Sequence, residues 1–153
     1  MTQLKRPDWD TYFLNLAQMV ATRSSCIRRQ VGAVLVKDKQ IIATGYSGTP
    51  RGVTNCDEGG CKRCLDREKN IIKTNERKDL CICIHAEQNV ILQAAYHGIS
   101  TKDTFLYVTV SPCIQCALLI INAGVRKVVY KQIFQDDLGL KMLQSVGIEV
   151  KSI

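Results

Sequence analysis

Residues 104–130 read TFLYVTVSPCIQCALLIINAGVRKVVY and place one helix-like segment between two strand-like ones. The first segment, TFLYVTV (104–110), has the β-branched and aromatic residues that favour a strand. A helix is predicted from about Cys113 to Ala123, and RKVVY (126–130) predicts a second strand. A strand, a helix and a strand in this order indicate a right-handed crossover between parallel strands.

The segments on either side of this crossover extend the predicted sheet. VGAVLVK (31–37) and QIIATGY (40–46) flank a turn at Asp38-Lys39 and predict a β-hairpin. Because a hairpin is antiparallel, the sheet should be mixed, and we expect a three-layer α/β/α fold with about five strands. The other predicted elements are helices from Asp8 to near Ser24, from Ala86 to His97 and over 136–145, and a strand over 147–153.

The composition predicts a single domain over residues 1–153. The chain is 46% hydrophobic and 23% charged, which is ordinary for a folded protein. The longest apolar run falls short of the roughly 18 residues of a membrane helix, and MTQLKRPDWD (1–10) lacks the apolar stretch of a signal peptide. We therefore expect a cytoplasmic protein with no membrane partner. The net charge of +7 favours an anionic partner, either nucleic acid or a phosphorylated small molecule.

The most informative residues are His85-Ala86-Glu87 and Pro112-Cys113-Ile114-Gln115-Cys116, each at the start of a predicted helix. Cys113 and Cys116 lie three residues apart and project to the same side of their helix. One imidazole and two thiolates give zinc three protein ligands and leave the fourth position for water, as in catalytic sites. His85, Cys113 and Cys116 are therefore the predicted catalytic zinc ligands.

Glu87 is the predicted proton shuttle of this site. Zinc lowers the pKa of water to about 7, and a neighbouring carboxylate can take the proton and pass it on. The order H-x-E followed by P-C-x-x-C is the signature of zinc-dependent deaminases, which hydrolyse an amine from a nucleobase.

Over nearly its whole length the chain resembles the deoxycytidylate (dCMP) deaminase family of the cytidine-deaminase-like superfamily. The His-Ala-Glu (85–87) and Pro-Cys-x-x-Cys (112–116) motifs belong to the whole superfamily. Much more specific to the nucleotide branch are the loop Gly45-Tyr46-Ser47-Gly48-Thr49-Pro50-Arg51-Gly52 and the cysteine-bearing segment after it. The other resembling segments are RSSC (23–26), VGAV (31–34), Asn55-Cys56, Gly60-Cys61 and Gln88-Asn89.

The resemblance implies zinc-dependent hydrolytic deamination of dCMP to dUMP and ammonia, which supplies dUMP for dTMP synthesis in pyrimidine metabolism. It implies zinc on His85, Cys113 and Cys116, with Glu87 as proton shuttle. Members of the family are commonly hexamers, activated by dCTP and inhibited by dTTP with Mg²⁺. With a small nucleotide as substrate, no nucleic-acid partner is expected.

Two further groups of residues are candidates for nucleotide contacts. By resemblance, the effector loop comprises Gly45, Tyr46, Ser47, Gly48, Arg51 and Gly52, with Ser47 where the family usually has Asn. A substrate phosphate is best held by arginine or by backbone N–H groups. The candidates for that role are Arg23, Ser24 and Arg29, with Arg28 and Arg51 as further possibilities.

A cysteine-rich insertion over about 47–84 is long for a loop, and related deaminases carry a second zinc there. We expect one structural zinc, with Cys26, Cys56, Cys61 and Cys81 as ligands and Cys64 and Cys83 in reserve. Cysteines that pack in a loop without metal are the alternative.

The segment CALLIINAG (116–124) is apolar almost all round, which predicts that a second subunit covers part of it. Two other activities stay open: deamination of free cytidine or of tRNA adenosine, and a non-catalytic zinc module that binds nucleic acid. The second would leave Glu87 beside His85 without a role.

Overall fold

A computed structural model describes residues 3–153. In chain order its elements are α1 (Trp9–Ala21), β1 (Gly32–Lys37), β2 (Gln40–Tyr46), α2 (Lys62–Glu68), α3 (Ala86–Tyr96), β3 (Thr104–Val110), α4 (Ile114–Asn122), β4 (Val125–Gln132), α5 (Leu138–Ser145) and β5 (Glu149–Ser152). Short 3₁₀ turns at Cys56–Glu58 and Lys78–Leu80 flank α2. The insertion thus contains one short α-helix, α2.

The strands form one mixed sheet in the order β2-β1-β3-β4-β5. Strand β1 pairs antiparallel with both β2 and β3, with Leu35 opposite Leu106. Strands β3, β4 and β5 are parallel, so α4 and α5 are the crossovers between them. The predicted five-stranded mixed sheet is confirmed.

The side chains of the strands point alternately to the two faces of the sheet and so contribute to two separate apolar cores. On one side of the sheet, Val34 and Val36 pack with Phe13 of α1. On the other side, Ala33 and Leu35 pack with residues of α3, α4 and α5. Since side chains alternate between the faces of a strand, one strand serves both cores. The three-layer α/β/α arrangement is confirmed, with one helix on one face and three on the other.

Helix α1 is held to the sheet by charge as well as by packing. Asp10, whose side chain is only 13% exposed, accepts hydrogen bonds from Lys127 Nζ at 3.0 Å and Lys151 Nζ at 2.7 Å. Tyr107 donates its hydroxyl to the same carboxylate at 2.9 Å. These contacts fix the helix across β3, β4 and β5.

The helix boundaries differ slightly from the predicted ones. Helix α1 ends at Ala21 and not near Ser24, because Thr22, Arg23 and Ser24 form turns back onto the last helical carbonyls. Helix α5 begins at Leu138, after an irregular segment. Within residues 3–153, every helix is too short or too polar to span a membrane.

Candidate metal centre and active site

One imidazole and two thiols converge where α3 and α4 begin. His85 Nδ1 lies 3.3 Å from Cys116 Sγ and 3.6 Å from Cys113 Sγ. The three ligand atoms all lie within 4.8 Å of one another. The geometry brings together the three residues that the sequence predicted as zinc ligands.

Both helices present their first residues to this point. His85 and Cys113 are the N-cap residues of α3 and α4, and Cys116 lies in the first turn of α4. The backbone N–H of His85 donates to the side chain of Gln88 at 2.9 Å, which fixes the start of α3. Positive partial charge at helix N-termini favours thiolates there.

The loop before Cys113 is held from two directions. Ser111 donates its backbone N–H to Gln132 and accepts the N–H of Phe134 on its hydroxyl at 2.7 Å. Gly139 of α5 lies so close to Pro112 that a Cβ atom there would be 2.1 Å from the proline carbonyl oxygen. Helix α5 therefore supports the loop that carries the first thiol.

The two thiols differ in their tendency to ionise. A hydrogen bond from the Cys116 thiol, helped by His85 and opposed by burial, lowers the pKa of Cys113 to about 4. The same hydrogen bond, together with burial, raises the pKa of Cys116. The hydrogen bond with Cys113 also raises the pKa of His85. At neutral pH the site therefore already holds one thiolate, the form that binds metal.

Glu87 lies beside these residues and is only 5% exposed. Burial raises the pKa of its carboxyl to about 7, against opposing contributions from its own backbone N–H and from His85. A carboxyl group in this range can both accept and release a proton at neutral pH.

A cavity of about 500 Å³ opens onto the site, a size suited to a small ligand. His85, Glu87 and Cys113 line it, and so do several basic side chains. The basic residues of the lining are Arg28, Arg29, Arg63, Arg67 and Lys78.

The arginines are crowded against one another. Burial and the charges of Arg28 and Arg63 lower the pKa of Arg67. Arg63 is committed to the backbone, since it donates to the carbonyl oxygens of Glu76 and Thr74. The guanidinium of Arg29 lies 4.7 Å from the centre of the Phe134 ring, within the same cavity lining. Such an arrangement favours an anionic ligand.

The predicted substrate residues do not all reach this cavity. Arg29 lines it, whereas Arg23 is exposed and Ser24 lies outside the described lining. Ser24 Oγ lies 2.8 Å from the hydroxyl of Ser47, so Ser24 helps to hold the 45–52 loop in place.

The predicted effector loop lies mostly against α3. Gly45 packs on the helix backbone, Tyr46 accepts the side-chain N–H of Asn89, and Gly48 pairs with Ile84. Arg51 donates to Gln93 at 3.0 Å and its guanidinium lies 4.5 Å from the ring centre of Tyr96. The following residue, Gly52, has a positive φ of 79°.

Ser47 is the exception in that loop, because it points inward. It is 6% exposed, lines the cavity and donates its hydroxyl to the Arg29 carbonyl at 2.7 Å. The same oxygen accepts the backbone N–H of Val31 at 3.0 Å. Its hydroxyl therefore fixes the backbone on which Arg29 is carried.

The structure gathers the remaining six cysteines into one cluster but does not group the predicted four around one point. The predicted set was Cys26, Cys56, Cys61 and Cys81. Two groups of sulfur atoms within 4.8 Å of one another are found: Cys26, Cys56, Cys64 and Cys83, and Cys61, Cys64, Cys81 and Cys83. The two presumed reserves belong to both groups.

Several residues of the site carried no clear signal in the sequence. Arg63, Arg67 and Lys78 lie in the irregular insertion, where nothing indicates which charges face inward. Phe134 follows β4, and Gly139 resembles an ordinary helical glycine. Only tertiary contacts identify them.

Comparisons with known proteins agree with this geometry. The sequence model of a family described as the cytidine and deoxycytidylate deaminase zinc-binding region matches residues 7–132. The chain is 42% identical to a deoxycytidylate deaminase of Saccharomyces cerevisiae over 152 residues, which is 99% of this chain and 46% of the yeast protein. It thus spans less than half the length of that relative.

Shorter relatives match over most of their own length. A deoxycytidylate deaminase of Mycobacterium phage D29 is 39% identical, with 83% of this chain and 97% of the phage protein covered. Among solved structures, the dCMP deaminase of cyanophage S-TIM5 in complex with dCMP and dUMP superposes with a TM-score of 0.78 at 31% identity. That match covers 98% of this chain and 100% of the phage chain.

Proposed function

The chain belongs to the cytidine and deoxycytidylate deaminase zinc-binding family, and we propose that it deaminates dCMP hydrolytically to dUMP and ammonia. The observation that carries the proposal is the buried Glu87 beside His85, Cys113 and Cys116, in a cavity lined by arginines. The cyanophage relative, whose structure holds dCMP and dUMP, supports the choice of substrate.

The residues present fit a catalytic zinc ion. His85, Cys113 and Cys116 offer one nitrogen and two sulfur atoms within 4.8 Å of one another, and the low pKa of Cys113 favours its thiolate. Zinc held by such a set acts as a Lewis acid and lowers the pKa of water towards neutrality. We assign these three residues as its ligands.

Glu87 moves the protons of the reaction. Its carboxylate takes one proton from the attacking water and delivers it to the pyrimidine ring nitrogen, where it stays. The same carboxylate then takes the second water proton, from the hydroxyl group now on the ring carbon, and delivers it to the leaving amine. Burial keeps this carboxyl out of bulk solvent, so the proton passes between substrate and protein. Water supplies the new carbonyl oxygen on the pyrimidine ring of dUMP, and the exocyclic amine leaves as ammonia.

The phosphate binds to those basic side chains of the cavity that are not already paired, since Arg63 donates to backbone carbonyls and Arg28 donates to Glu68. Arg29 is the best placed, because Ser47 holds its backbone and Phe134 supports its guanidinium. Arg67 and Lys78 line the same cavity. A guanidinium can bind two phosphate oxygens at once, which favours a nucleotide over a free nucleoside.

The test is ammonia release from dCMP, from cytidine and from a tRNA anticodon stem, with the variant Glu87→Gln as the blank. Preference for dCMP supports the proposal. Faster release from cytidine or tRNA would favour the other deaminases. Lack of turnover with every substrate in the zinc-loaded wild type would favour the non-catalytic module.

Because the 45–52 loop resembles the effector loop of the dCMP deaminase family, we propose that dCTP activates the enzyme and that dTTP with Mg²⁺ inhibits it. The dependence of rate on dCMP should be sigmoidal and become hyperbolic when dCTP is added. A hyperbolic dependence in both conditions would refute this regulation.

An oligomer, with a hexamer as the specific expectation, is proposed from α4. Cys116, Ala117 and Ile120 are buried, but Leu118 and Leu119 are each 44% exposed, which leaves an apolar face for a second subunit. Light scattering coupled to size exclusion tests this, and a monomeric mass at micromolar concentration would refute it.

We also propose that residues 1–153 act as one domain in the cytoplasm and that the insertion holds structural zinc. Both apolar cores share one sheet, which supports the first proposal. The cysteines of the described chain are free thiols, which supports a reducing compartment.

A further inference from the structure

The cysteine cluster of the insertion, defined here as Cys26, Cys56, Cys61, Cys64, Cys81 and Cys83, contains more sulfur ligands than one ion can use. A structural zinc ion takes four ligands in a tetrahedron. The two groups of four sulfur atoms share Cys64 and Cys83. One ion in either group would therefore leave two of the six thiols without a partner.

We propose that this cluster binds two zinc ions that share two bridging thiolates. Cys26 and Cys56 are terminal ligands of one ion, Cys61 and Cys81 are terminal ligands of the other, and Cys64 and Cys83 bridge them. The inference builds on the proposed structural zinc in the insertion, but it changes the number of ions and the ligand set.

The distances fit this arrangement. Cys64 Sγ and Cys83 Sγ are 4.0 Å apart, as are Cys61 Sγ and Cys81 Sγ. Two sulfur atoms on one tetrahedral zinc are separated by about 3.8 Å, given Zn–S bonds of about 2.3 Å. A disulfide would require about 2.05 Å, and all six residues are free cysteines.

The central position of the bridging residues is visible in their neighbours. Cys83 Sγ lies within 4.8 Å of the sulfur atoms of both terminal pairs, Cys26 with Cys56 and Cys61 with Cys81. Cys64 Sγ likewise lies within 4.8 Å of the sulfur atoms of both pairs. A sulfur atom that bridges two ions must lie between both terminal pairs.

The chain delivers these ligands on short, well-defined pieces of backbone. Cys61 caps α2 and Cys64 lies in its first turn, so both thiols project to one side. Cys81 and Cys83 lie two residues apart in a segment that is not helical. This segment leads directly to Ile84, which pairs with Gly48. Gly60 permits the approach of this loop, since a Cβ there would be 1.8 Å from the carbonyl oxygen of Thr54.

Burial and charge also suit a metal cluster. Cys26, Cys56, Cys61 and Cys64 are each at most 6% exposed and form an apolar cluster of their own. Six thiolates exceed the charge of two divalent ions, so the loaded cluster stays negative. Arg28 and Arg63 line the same cavity as Cys26 and Cys64 and can balance that charge.

The test is metal stoichiometry of the full chain, purified under reducing conditions and titrated with zinc, measured by native mass spectrometry and elemental analysis. We expect about three zinc ions per chain in the wild type and about two in Cys113→Ser, the matched control that loses only the catalytic ion. About two ions in the wild type, or a mass lowered by disulfide formation, would overturn the proposal.

A spectroscopic measurement detects the bridges in the intact cluster, and two substitutions then identify the thiols that form them. Cadmium-113 replaces zinc in the intact protein, and its NMR spectrum should contain two cluster resonances split by mutual coupling through the shared sulfur atoms. Uncoupled resonances would refute the bridges. Cys83→Ser should remove or broaden both cluster resonances, whereas Cys61→Ser should perturb one ion more than the other.

Turnover of dCMP on the same preparations separates this inference from the proposed activity. An active enzyme with one structural ion would overturn the cluster and leave the activity standing. A protein with two coupled cluster ions and no turnover would do the opposite.

Discussion

Gly139→Ala is expected to weaken both stability and the metal centre, although alanine is the better helix former. Gly139 is the second residue of α5, and a Cβ there would lie 2.1 Å from the carbonyl oxygen of Pro112 and 2.9 Å from the carbonyl carbon of Cys113. An ordinary contact begins at 3.4 Å, so α5 and the loop must separate by about 1.3 Å.

The size of the effect follows from that displacement. Replacing glycine by alanine in a helix ordinarily stabilises a protein by up to about 1 kcal/mol. Overpacking against backbone costs about 1–3 kcal/mol, so we expect net destabilisation. A shift of about 1 Å in a catalytic group can cost about 100-fold in rate. Because Cys113 follows Pro112 directly, zinc affinity and turnover should fall together.

Three measurements test this reasoning: urea unfolding, zinc content after dialysis, and dCMP turnover. Gln144→Ala is the matched control, because Gln144 is exposed on the same helix. A Gly139→Ala protein that is more stable than the wild type and fully active would refute the argument, since it would mean that the loop moves without consequence.

The other predictions concern three separate features. Glu87→Gln should lower dCMP turnover by about 100- to 10,000-fold, because the proton shuttle is lost, while zinc content stays unchanged. Arg29→Ala should raise the KM for dCMP by about 10- to 100-fold and leave cytidine unaffected, whereas Arg23→Ala should change neither value. Asp10→Asn should reduce the free energy of unfolding by about 2–3 kcal/mol at pH 7. Burial opposes ionisation of Asp10, but hydrogen bonds from Lys151, Lys127 and Tyr107 lower its pKa below 3.8 overall. Its contribution is therefore complete above about pH 4 and is lost as the pH falls through the lowered pKa, so the wild type and Asp10→Asn should converge in acid. A difference in their unfolding free energies that stays constant from pH 7 to pH 2 would contradict this.

The residues of the candidate metal centre could be predicted from the sequence because their geometry is mostly local. Cys113 and Cys116 are one helical turn apart, and the proline before them marks where the helix starts. His85 and Glu87 likewise fall on the first turn of α3. That the two helix starts lie close together depends on tertiary structure. Residue spacing could not predict this proximity, but the family motif did.

The grouping of the cysteines could not be predicted in this way. Cys26 and Cys83 are far apart in the sequence, and the loops between them have no periodicity that fixes which sulfur faces which. The cluster shows Cys64 and Cys83 at its centre, where the sequence suggested only reserves. The sequence also could not show which of the predicted phosphate-binding residues reach the cavity. Arg29 lines it, whereas Arg23 is exposed to solvent.

Taken alone, the sequence determined the strands, the helices and the residues predicted for the metal centre, because alternation, helical spacing and helix starts depend on neighbours a few residues away. Only the tertiary structure decided which cysteines meet, which arginines line the cavity and why Gly139 cannot carry a side chain. Those outcomes depend on how loops pack against distant elements, and no short-range pattern encodes that packing.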